Sequence, residues 1–236
     1  MFLGIIGGMG PNATIDFLQK LNDLTPIKKE QEHIPYLLIS TPEIPDRSST
    51  LLSGNNIEIE KIGKMLIKNV KLLENNCVSH IIITCNTAHY WEEDIKKSIS
   101  KPFISIIEET CKYIKNKKYN DICILSTLAT NKMGLYDKYL SKLNISFCYP
   151  NKNQQKKVSK AIYLIKKKKY KYSKKLLNKI IKQLKKKGHK YFIVACTELP
   201  IVLIGNNYID PCKVIIDKIN IINKKSVVLN LQNKLS

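Results

Sequence analysis

The chain has 236 residues, 44% of them hydrophobic and 25% charged, which excludes wholesale disorder and suits one large or two small globular domains. No apolar run is long enough to span a bilayer, and Met1–Gly8 has neither a basic leader nor the apolar length of a secretory signal, so the cytosol is the expected compartment. The formal net charge of +21 points at first to a nucleic-acid partner, but 151–190 holds 17 Lys and no acidic residue, while the other 196 residues carry 23 basic against 19 acidic side chains.

Short apolar runs alternate with longer stretches of helical period, the pattern of β/α units around parallel sheets. Strands are predicted at 2–6, 36–39, 79–84, 103–106, 121–126, 145–149 and 190–195, with helices between them. Within the basic stretch, Val158, Ala161, Ile162 and Ile165 share one helical stripe in 158–165. Leu176, Leu177, Ile180, Ile181 and Leu184 do the same in 176–184, and Lys fills both opposite faces. The lysine run therefore reads as the solvated side of two helices, which argues against nucleic acid as the partner.

A weak repeat divides the chain. Ile81-Ile82-Ile83-Thr84-Cys85-Asn86-Thr87 and Phe192-Ile193-Val194-Ala195-Cys196-Thr197-Glu198 each run a buried strand into Cys and then into helical pattern, 111 residues apart. Leu3–Gly8 and Ile122–Thr127 pair in the same way. The expectation is two pseudo-symmetric parallel-sheet α/β domains, 1–100 plus 210–236 and 101–209, with the active site in the cleft between them. Ligands of such sheets sit beyond the carboxyl ends of the strands, which sets Cys85 and Cys196 facing each other across that cleft.

The seven Cys show no C-x-x-C pair, and their odd number argues against a disulfide framework. Taken singly, each is most simply a buried packing residue. Two in matching strand-to-helix junctions point to chemistry, because N–H groups and the helix dipole there stabilise a thiolate. A thiolate and a thiol on opposite walls can remove a proton from one face of a carbon and deliver one to the other. Donors near Asn86, Thr87 and Thr197 suit a carboxylate that becomes enediolate-like.

Among 40 basic residues only Arg47 is Arg. In a chain that uses Lys everywhere else, that position is expected to need the planar fork that grips a carboxylate with two hydrogen bonds. His89 reads either as an ion-pair partner for the Cys85 thiolate or as a structural hydrogen-bonding group. Glu198 reads either as a first-turn helix acid or as a group that tunes Cys196. Gly7-Gly8-Met9-Gly10 lacks the spacing of a nucleotide-binding loop.

Gly7-Gly8-Met9-Gly10-Pro11, Ile44-Pro45-Asp46-Arg47, Cys85-Asn86-Thr87-Ala88-His89 and Cys196-Thr197-Glu198, in that order, resemble the cofactor-independent aspartate/glutamate racemase family, and its aspartate racemases most of all. The resemblance covers nearly the whole chain. It implies a homodimer that racemises an acidic amino acid, aspartate or glutamate, with no cofactor and no metal, and the absence of a spanning apolar run adds the expectation of no membrane attachment. Carried over, Cys85 and Cys196 are the catalytic pair. Met9, Asn86, Thr87, Thr127 and Thr197 are substrate contacts, and Arg47 stands near the distal carboxylate. A family lysine follows an Ile-Tyr pair. Counting back from Cys196 gives Lys166, whereas counting on from Tyr163 gives Lys167, and Lys166 is the expected one. Ala195 and Ala129 stand where the family often has Gly. Related activities that use Cys at these junctions, such as maleate isomerase, hydantoin racemase and arylmalonate decarboxylase, form the alternative, with a non-enzymatic anion-binding protein behind them.

Overall fold

The computed structural model describes residues 1–232; residues 233–236, the end of the segment assigned to the first domain, lie outside the described residues. The first half runs β1 (Leu3–Gly7), α1 (Pro11–Leu24), β2 (Tyr36–Ser40), α2 (Arg47–Ser53), α3 (Asn56–Asn75), β3 (His80–Ile83), α4 (Glu92–Ser98) and α5 (Ile106–Asn116). The second runs β4 (Ile122–Ser126), α6 (Leu128–Lys132), α7 (Asp137–Lys142), β5 (Phe147–Cys148), α8 (Lys152–Lys166), α9 (Tyr170–Lys186), β6 (Tyr191–Ala195), β7 (Tyr208–Ile209) and α10 (Pro211–Gln232). Two parallel sheets result, ordered β2-β1-β3 and β5-β4-β6-β7. β3 lies beside β1, with Ile6 opposite Ile83, as β6 lies beside β4, with Ser126 opposite Ala195. The thiol-bearing turns thus leave equivalent strands.

Central parallel strands are covered on both faces, so they read as unbroken apolar runs whose alternate residues enter different cores. Ile124 and Ile193 pack with Cys111, Ile114 and Leu140, whereas Leu125 and Val194 face Val158, Ile165 and Ile180. α9 buries Leu177, Ile180, Ile181 and Leu184 and turns its lysines outward. α8 opens with a capping box in which Asn151 and Gln154 satisfy each other's backbone N–H groups. Among the described residues no helix is long and apolar enough to cross a membrane.

Two predicted strands differ and one strand was not predicted. At 103–106 only a bridge between Ile81 and Phe103 forms, because Ser105 turns to cap α5, its Oγ accepting from Glu108 N at 3.2 Å. The 145–149 strand shrinks to Phe147–Cys148, since Pro150 and the Asn151 cap follow at once. β7 is two residues long, too short for periodicity to reveal. The junctions differ as well: Cys85 and Cys196 are followed by 3₁₀ turns, Thr87–Trp91 and Leu199–Ile201, not by α-helices. Any help to a thiolate comes from turn N–H groups, because no helix dipole of useful length starts at either place.

The final helix returns to the first sheet. Cys212, Ile215, Ile216 and Ile219 share a core with Leu3, Ile5, Phe17 and Ile82, while Val214 reaches the core under the second sheet. Lys20 of α1 pairs with Asp16 and, at 2.9 Å, with Asp210 just before α10.

Gly7 and Gly8 end β1 where two segments cross. Gly8 has φ +85, and a Cβ there would lie 2.8 Å from the Thr41 carbonyl carbon and 2.9 Å from Pro42 N. Gly8→Ala combines a left-handed side chain with a backbone clash, so a loss of about 1–3 kcal/mol is expected, read as a lower melting temperature. An unchanged melting temperature defeats this account.

Candidate active site

A cavity of about 20 Å³ lies between the two strand-end turns, with Cys85, Asn86 and Thr87 on one wall and Cys196, Thr197 and Glu198 on the other. Met9, Arg47, Thr127 and Lys166 complete it with Asp46 and Ser48, so the expected cysteine pair and every expected substrate contact line one cavity, while His89 and Lys167 do not. The volume admits about one water molecule. A wider cavity of about 260 Å³ shares Met9, Arg47, Lys166 and Glu198 with it and extends along Gly10–Ala13 at the start of α1.

Both thiols are buried, Cys85 at 6% and Cys196 at 5% exposure. The Cys196 thiol donates to Glu198 Oε2 at 3.0 Å. Burial, and then the Glu198 carboxylate, hold its pKa well above the ordinary thiol value. Glu198 therefore acts on Cys196 rather than capping a helix. Burial likewise pushes up the core thiols of Cys111, Cys123 and Cys212, whose places among apolar side chains are structural.

His89 has the structural role. Its Nε2 accepts from Ile106 N at 3.2 Å, which leaves the proton on Nδ1 to donate to the Cys85 carbonyl at 2.9 Å. Burial lowers its pKa and keeps the ring neutral. The imidazole thus ties the backbone of the Cys85 turn to the start of α5.

Asn86 is oriented from the other half of the chain. Tyr136, fully buried, donates to Asn86 Oδ1 at 2.6 Å, and Asn86 Nδ2 has no partner. The amide is held with its donor edge free. Tyr136→Phe is expected to let the amide turn and to raise KM for an amino-acid substrate about tenfold, the worth of one lost buried hydrogen bond. An unchanged KM shows that something else holds the amide. Thr87 bonds across the cleft to Thr127 at 3.1 Å and to Thr130 at 3.0 Å, and Thr127 Oγ1 also caps α6 by accepting from Thr130 N.

The Arg47 fork is committed to backbone. Nη1 donates to Ile44 O at 3.2 Å and Pro45 O at 3.1 Å, and Nη2 donates to Met9 O at 2.8 Å, leaving buried Nε unpartnered. The expected two-bond grip on a ligand carboxylate is not preformed. Both candidate lysines line an outer cleft of about 550 Å³, but Lys166 alone of the two also lines the inner cavity and pairs with Asp46 at 3.0 Å, whereas Lys167 lies over the Tyr163 ring. Burial pulls the Lys166 pKa down, but Glu198 and Asp46 outweigh it and the ammonium is held above its ordinary value. Asp46, Glu198 and Tyr136 complete a site that spacing alone did not assemble.

Residues 6–219 match the family described as Asp/Glu/Hydantoin racemase. A broad-specificity amino-acid racemase of Bacillus subtilis is 32% identical over 149 residues, 58% of this chain. That match spans 60% of the relative, less than two thirds of its length. Picrophilus torridus aspartate racemase has a TM-score of 0.79 at 30% identity and covers 89% of both chains. An aspartate racemase homologue of Pyrococcus horikoshii gives a TM-score of 0.76 at 22% identity over 94% of this chain and 98% of its own, a likeness of fold.

Proposed function

The chain belongs to the Asp/Glu/hydantoin racemase family, and on that premise we propose that it racemises an acidic amino acid, aspartate or glutamate, by moving the α-proton between Cys85 and Cys196. The observation that carries this reading is a set of three buried polar atoms without partners on residues that line one cavity: Asn86 Nδ2, Arg47 Nε and Glu198 Oε1. Buried polar groups are nearly always satisfied, so two donors and an acceptor left open together mark a ligand with carboxylates and an N–H donor.

In one direction the Cys85 thiolate takes the α-proton. The electron pair of the broken C–H bond spreads into the carboxylate, where Asn86 Nδ2 and the turn N–H groups meet the growing charge. The Cys196 S–H then gives its proton to the opposite face, leaving Cys85 as thiol and Cys196 as thiolate. The reverse direction exchanges their roles. Lys166 and Arg47 supply positive charge for the distal carboxylate. In the same proposal the protein is a cytosolic homodimer that works without cofactor or metal. Dialysis against a chelator should leave activity intact, and sedimentation should give twice the chain mass.

A second reading, a wider range of amino-acid side chains, is favoured by the engagement of the Arg47 fork with carbonyls, which weakens selection for a second carboxylate. Incubation with L-aspartate, L-glutamate and neutral amino acids in deuterated water, followed by proton NMR and chiral chromatography, decides between them. Turnover of the acidic pair alone supports the first reading. Equal turnover of neutral amino acids supports the second, and neither exchange nor D-isomer with any substrate defeats both.

A further inference from the structure

We propose that Glu198 recognises the α-ammonium of the substrate and so makes the site selective for amino acids over the same acids without the amino group. The inference rests on the racemase reading and deepens it. Glu198 is 4% exposed, and its two oxygens have different surroundings. Oε2 receives the Cys196 thiol at 3.0 Å. Oε1 has no partner and faces the Met9–Gly10 loop, where a Cβ on Gly10 would stand 3.4 Å from it. Both cavities are lined by this side chain.

The other open polar atoms of the small cavity, Asn86 Nδ2 and Arg47 Nε, are donors and suit carboxylates. Glu198 Oε1 is an acceptor of the opposite sign. The nearby cation, Lys166, is bonded to Asp46 at 3.0 Å. Lys166 acts on Glu198 by its charge but makes no hydrogen bond to Oε1, so a bound group that completes Oε1 must bring its own N–H, and an α-ammonium does so with a charge-assisted hydrogen bond.

Recognition at this oxygen also bears on the reaction. When Cys196 has given up its proton, a thiolate stands against the Glu198 carboxylate, and like charges at that distance repel strongly in a buried site. The substrate ammonium on Oε1 offsets the carboxylate charge, so a deprotonated Cys196 becomes accessible with an amino acid in place. A deaminated dicarboxylate brings no such offset.

The test compares binding with and without the amino group. Calorimetry on the full chain measures dissociation constants for L-aspartate against succinate and for L-glutamate against glutarate, in wild type, Glu198→Gln and Glu198→Asp. Wild type is expected to prefer the amino acid. Glu198→Gln should reduce that preference about tenfold or more and leave dicarboxylate binding equal or tighter, while Glu198→Asp, which keeps the charge, recovers part of it. An unchanged preference in Glu198→Gln overturns the inference. If that variant does not fold, Glu198→Asp decides, since retraction by one methylene should still lower the preference and an unchanged ratio overturns the inference. Wild-type α-proton exchange, run in parallel, separates the levels: exchange with an unchanged ratio defeats the role of Glu198 alone, whereas absence of exchange defeats the racemase reading beneath it.

Discussion

Replacement of either Cys85 or Cys196 by alanine is expected to lower racemisation by more than about a thousandfold, since on the proposed mechanism each removes one of the two acid/base groups at the reacting carbon. The two losses should differ in kind. With one thiol left, that thiol can still remove the α-proton and return a solvent deuteron to the same face, so exchange without inversion survives for one enantiomer. Cys85→Ala and Cys196→Ala should therefore exchange opposite enantiomers in deuterated water. Exchange by Cys85→Ala should be the slower, because its remaining thiol is bonded to Glu198 and its pKa is held up by burial and by that carboxylate. Retention of full racemisation by either variant, or exchange of the same enantiomer by both, shows that the protein does not use two opposed thiols.

Arg47→Lys should damage stability and catalysis together. The guanidinium joins the Met9 carbonyl to those of Ile44 and Pro45, so it holds the loop after β1 against the loop before α2. A single ammonium on a shorter reach cannot serve three carbonyls spread around a planar fork. Loss of buried charge-assisted bonds is worth about 2–3 kcal/mol, which for a chain of this size lowers the melting temperature by roughly 4–10 °C. Because Met9 lines the cavity with both thiols, kcat/KM should fall about a hundredfold as the loop moves. A raised KM with an unchanged melting temperature identifies a fork that serves only the ligand, against the architectural role.

Much of the arrangement was legible because it is local. The unbroken apolar runs of β1, β4 and β6 and the stripes of α8 and α9 are written at short spacing, and the repeated strand-to-Cys segment announced equivalent turns. Residue type alone marked Arg47 as special but not what its fork would hold. That depends on where the Met9 carbonyl lies, 38 positions away. Tyr136 and Asn86 stand 50 residues apart and Lys166 and Asp46 120, so no periodicity joins them. α8 ends at Lys166, so a shift of one residue separates the cavity lysine from Lys167, finer than an apolar period defines. No helix dipole reaches either thiol for a related reason, since both thiol turns tighten into short 3₁₀ segments that read as helix in apolar pattern.

The placement of both thiols on one cavity has an isotopic consequence. On the proposed two-thiol path the hydrogen delivered to the α-carbon comes from a sulfur that has exchanged with solvent, and the hydrogen removed leaves on the other sulfur. In deuterated water the inverted product should carry the label from its first appearance, while the enantiomer supplied keeps its original hydrogen until the reverse direction sets in. Each turnover would then write its direction into the mass of the molecule that leaves.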